Sequence, residues 1–217
     1  MSNKRHSILY RFSRIIRQLF IPSLFAEEQE LRKQQEDYEY LISRGVETEP
    51  GYVRLCGLPI IQKHPQAHIV IGKGVTLVSE PGYNEAGVNH PVILAAMSPC
   101  AQIMIHDRAG LSGTSVVAEE KIEIGEDAML GANTNIYDND FHPVNAEARI
   151  AGKKGLSAPV KIGKRCWLAS NVTVLKGVTI GNETVVGAMS LVVKDLPANV
   201  VAGGVPAHVI HNIDENE

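Results

Sequence analysis

The sequence predicts an all-β solenoid, and three observations predict it. Between Val160 and Val193 a branched aliphatic residue recurs at every sixth position: Ile162, Leu168, Val174, Ile180, Val186 and Val192. The residues two before them, Val160, Cys166, Val172, Val178, Thr184 and Ser190, are small or branched. The residues just after are Gly163, Ala169, Leu175, Gly181, Gly187 and Val193. A helix would space apolar residues three and four apart and a lone strand would alternate, so a six-residue beat needs short strands meeting at regular corners. Each hexapeptide is then one wall, with small residues suiting the corners. Each coil buries its apolar face only against its neighbours, so several coils must stack.

Taken in chain order, residues 1–66 read as an N-terminal helical or extended segment. Lys4, Arg5, Arg11, Arg14 and Arg17 alternate with Ile8, Leu9, Phe12, Ile15, Ile16, Leu19 and Phe20, and no acidic residue precedes Glu27. This pattern predicts a basic amphipathic helix ending before Pro22. It suits peripheral contact with an anionic membrane face, and equally suits packing on the solenoid or a partner. The arginines interrupt any uninterrupted apolar core, which argues against a cleaved signal peptide. Ala26 to Ser43 predicts a second, polar helix leading to the solenoid.

The solenoid is expected over 67–210, with a tail at 211–217. A weak trace of the beat sits at Ile69, Ile71 and Leu77. It returns at Ile105, Leu111 and Val117 and, after one extra residue, at Ile124, Leu130 and Ile136. Two interruptions separate these runs, an insertion over about 79–102 and a protruding loop over about 137–159. Extra chain on a rigid scaffold tends to carry the binding face.

A chain of 217 residues, 44% of them hydrophobic, can line one continuous core. A net charge of −3 gives no reason to expect nucleic acid, and no apolar run is long enough to cross a bilayer. Cys56, Cys100 and Cys166 form neither a disulfide framework nor a metal knuckle, which points to the cytoplasm. Cys166 falls on the inward column as a small core residue, which disfavours a covalent acyl-cysteine route.

Chemistry concentrates in the protruding loop, which opens Asp138-Asn139-Asp140-Phe141-His142-Pro143. A histidine between carboxylates can be held in one tautomer as a general base for a hydroxyl or amine nucleophile; a solvated surface histidine is the plainer reading. No second histidine stands at a ligand-like spacing from His142, so no metal is required.

With the C-terminal block Gly203-Gly204-Val205-Pro206-Ala207-His208-Val209-Ile210, these features resemble the hexapeptide-repeat acyltransferases, in the sugar and glycan O-acetyltransferase branch related to maltose and galactoside acetyltransferases. The carrying stretches are Gly110 to Gly113, Ile124 to Asp127, Asp138 to Pro143, Ile162 to Trp167 and Lys176 through Lys194 to Ile210. The resemblance implies a left-handed parallel β-helix, a homotrimer with sites between subunits, acetyl-CoA as donor, and a sugar or glycan hydroxyl as acceptor. In that frame His142 is the base, Asp140 orients it, and the backbone N–H of Ser170 faces the oxyanion. Trp167, Ala169, Gly187, Ala188, Lys194 and His208 would hold CoA; His208 stands where relatives often carry Arg or Lys. Ser112, Asn133 and Asp138 would touch the acceptor. Three readings stay open beside it: an amino-sugar N-acetyltransferase or serine acetyltransferase, a non-catalytic binding solenoid, and a γ-type carbonic anhydrase, whose spacing His106, His142 and His208 lack.

Overall fold

The structure, a computed structural model, describes residues 22–213, so the basic segment before Pro22 and the last four residues lie outside it. Helix α1 spans Pro22–Ser43, starting four residues before the Ala26 expected from the polar stretch and ending where expected, with Pro22 as its first residue. After it the chain winds through three parallel sheets in strict rotation. The first sheet stacks β1 (Val53–Cys56), β4 (Val75–Val78), β7 (Gly110–Ser112), β10 (Met129–Leu130), β13 (Trp167–Leu168), β16 (Val185–Val186) and β18 (Val200–Gly204). The second stacks β2 (Ile60–Lys63), β5 (Ile93–Ala96), β8 (Ser115–Ala118), β11 (Asn135–Tyr137), β14 (Thr173–Val174) and β17 (Leu191–Val192). The third stacks β3 (His68–Ile71), β6 (Gln102–Ile105), β9 (Lys121–Ile124), β12 (Val160–Ile162) and β15 (Thr179–Ile180). Finally β19 (Ala207–Asn212) folds back antiparallel on β18.

The six-residue beat becomes three interior columns. Leu111, Leu130, Leu168 and Val186 stack in register in the first sheet. Leu94, Val116, Ile136, Val174 and Val192 stack in the second, and Ile105, Ile124, Ile162 and Ile180 in the third. All of these are buried and belong to one continuous core.

Three expectations are corrected. The stack begins at Val53, ahead of residue 67, because β1 pairs with β4 and β2 with β5 in parallel register. The insertion expected over 79–102 is shorter, because β5 and β6 are walls of the coil. The inward residue of β8 is Val116, not Val117, because the corner at Ser112–Thr114 is one residue short and the next, before β9, is longer. Corner chemistry also differs from expectation. Arg165, Asn171, Glu183 and Met189, not glycines, take the left-handed φ at their corners. Gly163 and Gly181 are needed for closeness instead, since a Cβ there would lie 2.6 Å from Asn182 N and 2.3 Å from Ala198 N of the coil above.

Both edges of the first sheet are covered. At the start, Leu41 of α1 is buried in the core and the buried Asp37 carboxylate accepts the Leu55 N–H at 3.1 Å. Lys33 pairs with Asp37 and donates to the Leu55 carbonyl at 3.3 Å. Side chains of α1 thus engage backbone groups of β1 that a further coil would have paired. At the other end β19 occupies the outer edge of β18.

Candidate active site

The loop after β11 is built from its first residue. Asp138 is 0% exposed, and its carboxylate accepts the backbone N–H groups of Glu119, Glu120 and Lys121 at 2.7, 2.7 and 2.8 Å. These donors lie in the long corner between β8 and β9, and the Asp138 side chain takes the place of ladder acceptors for them. Asn139 pairs with Ser157 across the loop, and Ala158 N–H donates to the Asp138 carbonyl at 2.8 Å. A short helix α2 (Ala146–Ile150) carries the tip, capped by the Asn145 side chain on Ala148 N–H. Asp140 faces Lys176, with Nζ 2.6 Å from Oδ1. His142 is exposed beside it.

Two of the expected acceptor residues are engaged elsewhere. Asp138 is committed to the frame by its three backbone donors. Asn133 is as well, since its Oδ1 accepts Asn89 N–H and its Nδ2 donates to the Gly87 carbonyl, both at 3.0 Å. Ser112 keeps a half-buried place at the end of β7.

The remaining site residues fall into two groups on opposite edges of the second sheet. Ala169, Ser170, Gly187 and Ala188 stand in successive corners where the chain enters that sheet. Trp167 lies just before this edge, 49% exposed and flanked in register by Met129 and Val185. His208 reaches the same edge through its pairing with Gly203. The Ser170 N–H has no acceptor among the described residues, and its carbonyl accepts Met189 N–H at 3.0 Å. The corners stack so closely that a Cβ on Gly131 would meet Ser170 N at 2.8 Å. On the exit edge stand Asp140, His142, Lys176 and Lys194. A wall of this length separates the edges by on the order of 15 Å.

Cys166 sits in the interior, where its Sγ donates to the Gly181 carbonyl at 3.0 Å and burial raises the thiol pKa. A thiol held in that state is a poor nucleophile. Sequence reasoning missed Lys176, and also a cleft of about 670 Å³ at the exit edge lined by Ser98, Cys100, Glu119, Glu120, Lys154 and Ser157. Only the pairing of coils brings these together, and no local motif marks them. Among the described residues no helix is long and apolar enough to cross a membrane, and no three His, Cys, Asp or Glu side chains gather as a metal site. A strip of small corner residues lies beside an outward tryptophan; a Cβ on Gly187 would make only ordinary contact, 3.6 Å from the Ala202 carbonyl oxygen, whereas one on Gly203 would meet Ile210 Cδ1 at 3.3 Å.

Residues 159–194 match the family model described as bacterial transferase hexapeptide, six repeats. The chain is 39% identical to a galactoside O-acetyltransferase of Escherichia coli over 103 residues, covering 48% of this chain and 50% of that one. It is 40% identical to the putative colanic acid biosynthesis acetyltransferase WcaF of Escherichia coli over 112 residues, covering 45% and 62%. It thus spans between half and two thirds of the length of these curated relatives. Among solved structures, AntD, an N-acyltransferase from Bacillus cereus in complex with dTDP-4-amino-4,6-dideoxyglucose and coenzyme A, has the same fold. Its TM-score is 0.58 at 19% identity, covering 82% of this chain and 90% of that one.

Proposed function

Starting from a chain that carries the hexapeptide repeat of bacterial transferases, we propose that it is an acetyl-CoA-dependent O-acetyltransferase acting on a sugar or glycan hydroxyl. The supporting observation is the division of the site residues between two edges of one wall. A base on the exit edge and a small-residue strip on the entry edge, on the order of 15 Å apart, complement each other when the exit edge of one copy meets the entry edge of the next. A homotrimer of left-handed coils supplies that meeting, with one groove per interface.

In this reading His142 removes the proton from the acceptor hydroxyl as that oxygen attacks the thioester carbonyl of acetyl-CoA. A positioned base contributes on the order of 10² to 10⁴ in rate. The free Ser170 N–H receives the developing oxyanion as a fixed donor. Trp167 with Ala169, Gly187 and Ala188 lines the pantetheine arm, and His208 and Lys194 from facing copies meet the CoA phosphates. Asp140 and Lys176 position the loop that carries His142. The CoA thiolate leaves directly, in keeping with the inaccessible Cys166.

The relatives' names support the sugar acceptor, while the amino sugar in AntD's title keeps N-acetylation as the alternative. The deciding experiment assays wild-type and His142→Ala chains on paired hydroxyl and amino sugars, following thiol release and CoA binding. We expect transfer to hydroxyls that disappears in His142→Ala with CoA binding retained; turnover unchanged by the substitution would sink the assignment.

A further inference from the structure

The loop at 79–92 is fastened to the outer face of the second sheet at several points. Asn133 holds it through Asn89 N–H and the Gly87 carbonyl, and Val88 is buried beneath it. Gly113 takes a left-handed φ of 51°, and a Cβ there would lie 2.8 Å from Val88 Cγ1, so the close approach depends on glycine. What this fastening delivers is His90.

The His90 ring bridges two partners. Its Nδ1 faces Asn89 Oδ1. Its Nε2 lies 3.0 Å from Ser115 Oγ, within hydrogen-bond reach. The Ser115 oxygen keeps lone pairs for another donor. Ser115 lies in register with Asn135, and two residues on, Tyr137 lies in register with Val117. The Tyr137 hydroxyl donates to Asn135 Oδ1 at 3.0 Å, and its ring meets Phe141 edge to face, centroids 5.2 Å apart. Phe141 is the immediate neighbour of His142. Burial raises the Tyr137 hydroxyl pKa, which keeps it a neutral donor and acceptor. Alternate outward residues of a strand stand about 7 Å apart, close to the span of one sugar ring.

Building on the acetyl-transfer reading, we propose that this face, between the 79–92 loop and the His142 loop, is the subsite for the acceptor's sugar ring, and that His90 and Tyr137 select the sugar. The chemistry matches the ligand class. Asn135 keeps one amide N–H beyond the one it donates to the Asn133 carbonyl at 3.2 Å, the Tyr137 hydroxyl oxygen can still accept, Tyr137 and Phe141 add apolar ring surface, and none of the residues named is a lysine or arginine of the kind that grips phosphate. The strand leads from that surface directly into the loop carrying His142.

The test measures binding apart from chemistry. Saturation-transfer NMR is recorded on the full chain with CoA, using the methyl glycosides of galactose, glucose and N-acetylglucosamine as probes. The proteins are wild type, His142→Ala, His90→Ala, His90→Gln and Tyr137→Phe, each checked by Tm. We expect at least one glycoside to bind wild type and His142→Ala, and to bind His90→Ala and Tyr137→Phe about tenfold more weakly, as loss of a ligand hydrogen bond implies. His90→Gln, which can still reach Ser115, recovers part of the affinity. In transfer assays the sugar KM rises by more than kcat falls, and the acetyl-CoA KM stays. Glycoside binding unchanged in both His90→Ala and Tyr137→Phe overturns the subsite, as does a wild-type chain that binds none of the three at tens of millimolar. Weakened binding in the variants, in a wild type that transfers no acetyl group, upholds the subsite and sinks the acetyl-transfer reading. Active transfer with sugar binding indifferent to both substitutions does the reverse.

Discussion

Lys176 Nζ stands 2.6 Å from Asp140 Oδ1, tying the loop that carries His142 to the coil that follows it. Both side chains are about 30% exposed, so the pair adds under about 1 kcal/mol to stability. Its value lies in placing the loop. Lys176→Met should leave Tm almost unchanged and lower kcat by roughly tenfold or more, since small misplacements of a catalytic group are costly. Thiol-release kinetics beside a thermal melt check this, and an undiminished kcat would refute the positioning role.

Asp138 presents the opposite case, a carboxylate that serves stability. Asp138→Ala removes the buried acceptor of three backbone N–H groups in a half-buried corner, at a cost of about 3 kcal/mol. Asp138→Asn retains one acceptor oxygen and should fall between. Urea unfolding of the three proteins gives the order, and equal midpoints would contradict it.

The buried thiol of Cys166 makes stability pH-dependent at the alkaline end. Its pKa is raised by burial, so the folded chain keeps the proton to higher pH than the unfolded chain does. That contribution is whole below the unfolded thiol's pKa of about 8.5 and is lost as pH rises from there toward the raised folded value. The unfolding free energy of wild type should therefore decline more steeply above about pH 8.5 than that of Cys166→Ala. Parallel curves would show that this thiol does not matter. Alkylation should reach the exposed Cys100 without unfolding and Cys166 only after it.

Division of the site between two edges predicts complementation. His142→Ala disables the exit edge and Gly187→Trp fills the entry edge, so each alone should be inactive. In trimers mixed at random from equal amounts, three quarters contain both chains and each of those rebuilds one groove in three, so activity returns to roughly one quarter of wild type. Coexpression with two affinity tags isolates the mixed species. No recovery in those species would mean that each groove is built from one chain.

The beat from Val160 to Val192 was legible because every sixth residue there turns inward with no slip. Upstream, one short and one long corner nearly cancel, so the spacing from Leu111 to Ile124 betrayed a net extra residue but not that Val116 rather than Val117 faces the core. The walls at β1 and β2 escaped notice because one six-residue step, from Leu55 to Ile61, is too short a run to show the beat before the spacing changes. His142 and Trp167 could be singled out as chemistry on a loop and an aromatic residue pointing outward. Lys176, Ser98 and Glu119 could not, since their closeness to the loop depends on which coil lies above which.

Asp37 occupies the Leu55 N–H at the outer edge of the first strand. With α1 on the outer edge of β1 and β19 on that of β18, the first sheet offers no open edge strand as a template for end-to-end polymerisation. The length of this molecule can therefore change only in whole steps, by gain or loss of one complete coil of about eighteen residues inside the stack. Each step would move everything above it by one strand spacing, about 4.8 Å. A coil added between β12 and β15 would carry Lys176 out of reach of Asp140, while one added before β4 would shift both together. Duplication is therefore tolerable below the His142 loop and disruptive just above it, which confines variation in length to the half of the stack nearer α1.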